Sequence, residues 1–158
     1  MQNESDNNWI QQAIQLAIDS VAQGGGPFGA VIVKDKTIIG RGNNLVTLNN
    51  DPTAHAEIIA IRNACHTIKD FNLDGCTLYS SCEPCPMCLS AIYWARITRV
   101  IYAASGDDAA QAGFDDDFIA REICLPHADK TLAIEQCECS NRNQSFVAWK
   151  NKIDKTIY

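Results

Sequence analysis

Within SSCEPCPMCLSAIYW, residues Ser80 to Trp94, three cysteines recur at even spacing: Cys82, Cys85 and Cys88. Such a run can hold an iron–sulfur cluster, close a structural zinc knot, form a disulfide or serve catalysis. A bacterial-type cluster motif would continue C-x2-C-x2-C-x3-C-P, but Ile92 and Tyr93 stand where the fourth cysteine and the proline belong. A disulfide framework needs an oxidising compartment. The opening residues MQNESDNNW are polar and acidic, without the basic start and apolar stretch of a secretory signal. The eight cysteines are therefore expected to be reduced thiols or metal ligands in a cytoplasmic protein.

The other half of a metal site lies upstream, in TAHAE, which carries His55 and Glu57. To bring these residues to the cysteines, the elements must be read next. Ile10, Ala13, Ile14, Ala17, Ile18 and Val21 fall at helical spacing until QGGGP stops them. FGAVIVK and TIIGRG flank Asp35-Lys36 as the arms of a β-hairpin. HAEIIAIRNACHTI is apolar on most sides and predicts a buried helix. CTLYSS predicts a strand, PCPMCLSAIYWA a helix opening on proline, and RVIYAAS a further strand. A short TLAIE strand and a C-terminal helix carrying Phe146, Trp149 and Ile153 follow. This order predicts an α/β domain with a central sheet covered by helices on both faces. No repeat or linker interrupts the chain, so residues 1–158 are expected to form a single domain.

Cys85 and Cys88, three apart at a helix start, share a face, and a helix N-terminus favours thiolates. Helix N-termini in such sheets gather at the carboxyl ends of strands, where ligands bind. His55, Cys85 and Cys88 then make a three-ligand zinc site with one open position, and Glu57 faces that position without ligating. The order H-x-E followed by P-C-x-x-C matches the signature of zinc-dependent base deaminases. A closed structural zinc is the alternative, with Cys82 as fourth ligand. Cys82 precedes Pro84 at a strand end, so it is expected to point away from the helix-borne pair as a buried thiol. Cys137-x-Cys139 lacks a nearby histidine, and it reads with Cys65, Cys76 and Cys124 as ordinary reduced thiols.

Net charge is −6, and Lys and Arg are scattered, which disfavours a nucleic-acid surface built on phosphate neutralisation. No apolar run reaches the ~20 residues of a membrane span. A small-molecule partner is expected, with neither nucleic acid nor membrane.

The segments DPTAHAEIIAIR and SCEPCPMCLSAIYWAR resemble the cytidine deaminase-like superfamily, in the branch of bacterial guanine deaminases and tRNA adenosine deaminases. GGPFGAVIVKD, DAAQAGFDDDFI and the closing Tyr158 are similar to the guanine deaminases. The resemblance implies a three-layer α/β/α fold with a mixed five-stranded sheet and one zinc per chain. It also implies conversion of guanine to xanthine and ammonia. Guanosine, a tRNA adenosine and a merely structural zinc domain remain as alternatives. By the same resemblance, Glu57 and Asp116 are catalytic, and Asp116 contacts the guanine edge. Asn44, Ala56, Phe28, Trp94 and Tyr158 bind the base, with Phe28 and Trp94 on its faces. On charge alone, the DDD around Asp116 reads as a solvated acidic loop. Finally, the resemblance implies a homodimer in which a segment from about residue 140 to 158 is exchanged, carrying Tyr158 into the neighbouring subunit's site.

Overall fold

The computed structural model describes residues 4–158, and the chain divides into two compact units, Met1–Ala120 and Arg121–Tyr158. The first unit is built on a sheet. β1 (Gly29–Lys34) is a central strand, buried along nearly its whole length. It pairs antiparallel with β2 (Thr37–Asn43) on one side and with β3 (Thr77–Cys82) on the other. β4 (Arg99–Ala104) runs parallel to β3, giving a four-stranded mixed sheet of order β2-β1-β3-β4. The hairpin between β1 and β2 turns on Asp35 and Lys36, both at positive φ (49° and 62°). That pair of left-handed residues is the type I′ geometry that matches strand twist.

Helices cover both faces, as their apolar spacing predicts. α1 (Glu4–Ala22) buries Asp6, Ile10, Ala13, Ala17 and Ser20, a stripe at three- and four-residue steps. Its apolar residues meet Val31, Val33 and Tyr79 on one face of the sheet. Asp6 is the polar member of the stripe, and it is paired. Tyr79 Oη donates to its Oδ1 at 2.6 Å, and Arg99 donates to both carboxylate oxygens at 3.1 and 2.8 Å. On the opposite face, α3 (Ala56–Ile68) and α4 (Pro86–Trp94) lie over Ala30, Ile32 and Leu78. Full burial of a side chain such as Ile32 or Leu78 is worth about 1.5–3 kcal/mol.

Two small residues let α3 sit close. A Cβ on Gly42 would come within 2.1 Å of the Ala56 carbonyl oxygen, and one on Gly40 within 2.4 Å of that of Ala60. The bare backbone of β2 therefore fixes where α3 begins. Three short helices go beyond the sequence reading: α2 (Val46–Asn49), α5 (Gly106–Gln111) and α6 (Asp117–Cys124). α5 is held by a capping box in which Ser105 and Asp108 bond each other's backbone N–H.

The second unit holds the last turn of α6, a 3-10 turn at His127–Asp129 and the helix α7 (Gln144–Asn151). Ile153, expected at the end of the C-terminal helix, lies beyond it. No residue from 121 to 158 is buried. The expected five-stranded sheet is corrected here, because residues 131–135 (TLAIE) form no strand. Instead the Thr131 amide and hydroxyl both donate to Glu122 Oε2 at 2.9 Å. These side-chain bonds occupy the donor a ladder would have used. No helix among the described residues is long and apolar enough to cross a membrane.

Candidate metal centre

The loop from Asp51 to His55 aims the first candidate ligand. Thr53 donates to Asp51 Oδ1 from both its amide (2.8 Å) and its hydroxyl (2.7 Å), and Leu45 N–H bonds the Ala54 carbonyl at 2.9 Å. His55 follows as the N-cap of α3, in extended conformation at ψ 157°. Its carbonyl accepts the first helical bond from Ile59 N–H, while its side chain makes no capping bond. Cys85 is the matching N-cap of α4, at ψ 167°, followed by Pro86, and its side chain makes no capping bond either. Both side chains are thereby released toward each other. Cys88, one turn into α4, is fully buried beside them.

His55 Nδ1 lies 3.5 Å from Cys85 Sγ and 3.6 Å from Cys88 Sγ, and the three ligand atoms fall within 4.8 Å of one another. Tetrahedral zinc, with bonds of about 2.3 Å to sulfur and about 2.0–2.1 Å to nitrogen, sets its ligands about 3.5 Å apart. The donor set fits zinc in both chemistry and spacing. Cys82 is no part of it. Its Sγ is buried at the end of β3 and lies 3.5 Å from the Ser105 carbonyl oxygen, to which it donates.

The electrostatics show how tightly these groups are coupled. Contact with Cys88 draws the Cys85 thiol down to about 4, and the His55 contact helps. The same contact with Cys85, together with burial and the nearby Glu57 charge, holds the Cys88 thiol well above its ordinary value. His55 is raised chiefly by its bond with Cys85.

Glu57, in the first turn of α3, is 5% exposed. Burial raises its carboxyl above the usual carboxylate range. Its Oε1 accepts from Ser80 Oγ at 3.2 Å, and its Oε2 from Cys88 Sγ at 3.3 Å. Glu57 therefore borders the three-ligand cluster without belonging to it.

The remaining residues singled out by sequence divide in two. Asp116 is half-buried at the start of α6, raised mainly by that burial, and its charge is felt at both His55 and Cys85. Asn44 is buried. Its amide donates to the Phe28 carbonyl at 3.0 Å, and its Oδ1 accepts from Val46 N–H at 3.2 Å. A Cβ on Gly25 would fall 2.4 Å from the Asn44 carbonyl oxygen, so the glycine run preceding β1 wraps this residue. Ala56 is fully buried at the first position of α3. Phe28 meets Phe114 edge-on, with centroids 5.0 Å apart.

Trp94 sits elsewhere. Trp94 ends α4, about 13 Å of helix rise from Cys85, with 64% of its surface exposed. Tyr158, in the second unit, packs edge-on against Trp149 at 6.4 Å. Sequence reading did not single out Ser80 or Phe114. The alternation along β3 could have found Ser80, since it shares a face with Leu78 and thus points at α3.

Comparison with known proteins agrees with this geometry. Residues 3–104 match the family described as the cytidine and deoxycytidylate deaminase zinc-binding region. The chain is 53% identical over 151 residues to a guanine deaminase of Bacillus subtilis, covering 95% of this chain and 97% of that protein. It is 36% identical to a tRNA-specific adenosine deaminase of Haemophilus influenzae, covering 99% of this chain and 93% of that one. Its fold superposes on the X-ray structure of guanine deaminase from Bacillus subtilis with a TM-score of 0.94 at 51% sequence identity, covering 99% of both chains.

Proposed function

The chain belongs to the cytidine and deoxycytidylate deaminase zinc-binding family, and from that premise we propose that it converts guanine and water to xanthine and ammonia. The observation that carries this reading is the near full-length identity to the Bacillus subtilis guanine deaminase. His55, Cys85 and Cys88 hold one zinc ion. Zinc, when bound, supplies a Lewis acid that brings the pKa of a bound water to about 7.

The chain's own residues do the rest. Guanine C2 is a poor electrophile until a ring nitrogen is protonated. Glu57 takes a proton from the attacking water, delivers it to N3, and passes a second to the departing amine. Its burial suits this role, because a carboxyl raised above its usual range holds a proton more readily than an exposed one. Asp116, acceptor-only when ionised, reads the N1–H and exocyclic amine of guanine. Asn44 and Ala56 complete the polar contacts to the base. The Ala56 N–H is one of those that a helix start leaves without an intrahelical partner. Phe28 packs on a purine face, while Trp94, at the far end of α4, takes no part in this chain's own site.

The enzyme works as a cytoplasmic homodimer whose C-terminal segments, from about residue 140, are exchanged, so that Tyr158 closes the neighbouring subunit's site. In support, the second unit buries none of its side chains yet carries Phe146, Ile153, Ile157 and Tyr158 on its surface. Exposed apolar surface of this kind marks association.

The test is to incubate the pure protein with guanine, guanosine, adenine, cytosine and cytidine and to follow ammonia release. Turnover confined to guanine supports the reading. Turnover of guanosine at an equal rate, or no release from any substrate by zinc-replete protein, overturns it.

A further inference from the structure

We infer that Ser80 is a positioning residue for Glu57: its hydroxyl pins Oε1 of the carboxylate, so that Oε2 alone is presented to the metal cluster and the substrate. The inference rests on the proton-transfer role given to Glu57 above. Ser80 stands in the middle of the sheet, on β3, in register with Ala30 of β1 and Tyr102 of β4. It is 1% exposed, so its hydroxyl has little water to turn to. The polarity of that hydroxyl is set on both sides: Oγ accepts from the Cys82 backbone N–H at 3.5 Å and donates to Glu57 Oε1 at 3.2 Å. A donor mounted on a paired strand is a fixed reference point, whereas Glu57 reaches the site through three rotatable bonds.

The two oxygens of Glu57 are thereby made unequal. Oε1 faces the sheet, while Oε2 faces Cys88 and the ligand cluster at 3.3 Å. A cysteine that ligates zinc does so as thiolate and has no proton to give. Among the described residues, Ser80 is then the side-chain donor that keeps the carboxylate from rotating. A general base must lie within hydrogen-bond reach of the proton it moves, and fixed orientation supplies much of its rate.

The experiment compares zinc-replete wild type, Ser80→Ala, Ser80→Thr, Glu57→Gln and the double variant Ser80→Ala/Glu57→Gln. Zinc content, thermal midpoint, kcat and KM for guanine are measured on each. For Ser80→Ala the expected result is one zinc per chain and a KM within about twofold of wild type. Its kcat should fall about tenfold, the usual consequence of losing a hydrogen bond to a charged group. Ser80→Thr, which keeps the hydroxyl, should recover most of that loss. In the Glu57→Gln background Ser80→Ala should cost nothing further, because it acts through the group already disabled.

Wild-type kcat in Ser80→Ala overturns the inference, as does an effect confined to KM, or loss of zinc. If Ser80→Ala proves too unstable to assay, Ser80→Thr decides: a folded, zinc-loaded threonine variant as slow as Glu57→Gln overturns it, and near wild-type kcat supports it. Near-normal kcat in Glu57→Gln would instead remove the proton-transfer reading on which the inference stands, and the two failures are thus told apart.

Discussion

Cys82 and Cys85 stand three positions apart in the chain but on different kinds of backbone. Cys82 ends a strand and spends its thiol on the Ser105 carbonyl, whereas Cys85 caps a helix and turns toward His55. Cys85→Ala or His55→Ala should therefore strip zinc, while Cys82→Ala should retain one ion per chain by metal analysis. Equal loss from Cys82→Ala would mean a closed four-ligand site with no room for catalysis. Glu57 calls for a different measurement because it is not a ligand. Glu57→Gln should keep zinc and fold but lower kcat by about 10²-fold or more, the range typical of general acid–base groups, with affinity much less affected. Asp116 acts on the substrate and not on the metal. Asp116→Ala should leave zinc content unchanged and reduce kcat/KM at least about tenfold, as expected for a lost charge-assisted hydrogen bond. An unchanged kcat/KM would return Asp116 to the solvated loop that its neighbours Asp115 and Asp117 suggest.

The elements bring these residues together by placing two helix starts at one end of β3, and that placement depends on contacts with no catalytic chemistry. Gly42 is the clearest case, since any Cβ there meets the Ala56 carbonyl at 2.1 Å and the Ala60 amide at 2.5 Å, both backbone atoms that cannot swing aside. Gly42→Ala should destabilise the fold by about 1–3 kcal/mol in denaturant titration and weaken zinc retention with it, because α3 carries His55 and Glu57. Gly106→Ala is the control, meeting only Glu83 Oε2 at 3.7 Å, and should be near neutral. The same elements explain what was legible in the sequence. His55, Glu57, Cys85 and Cys88 were legible because short spacings fall within single helix turns, where local geometry decides which side chains meet. The hairpin, both faces of the sheet and α1, α3 and α4 were legible from apolar periodicity. Phe114 was not, since it matters through Phe28, a partner from another element that no local pattern names. For Ser80, strand alternation gives the face but not the partner Glu57. TLAIE misled for the opposite reason. Its alternation is strand-like, but Glu122 takes the Thr131 amide and hydroxyl within the second unit.

At the scale of the whole molecule, the second unit presents Leu132, Phe146, Ile153, Ile157 and Tyr158 to solvent, with Ile153 at 101% relative exposure. Such a surface is costly to leave in water, and the proposed exchange between subunits would cover it. If the exchanged segment carries Tyr158 into the neighbouring site, each active site is built from two chains: zinc ligands and Glu57 from one, Tyr158 from the other. Deleting Tyr158 alone should then lower activity while the protein remains dimeric by sedimentation, because one residue is a small part of an exchanged interface. Glu57→Gln homodimers should be inactive as well. Chains of the two kinds, unfolded and refolded together, should form heterodimers with two unlike sites. One site combines the Glu57→Gln substitution with the truncated tail and is doubly impaired. The other combines an intact Glu57 with an intact Tyr158, so activity should reappear on mixing, at up to about half the wild-type rate per heterodimer. Recovery requires that the tail cross between subunits, since a tail acting on its own chain's site would leave both sites of the heterodimer defective. Verified heterodimers that remain inactive would place Tyr158 in its own subunit's site, whereas full activity of the Tyr158-deleted homodimer would put it outside the chemistry.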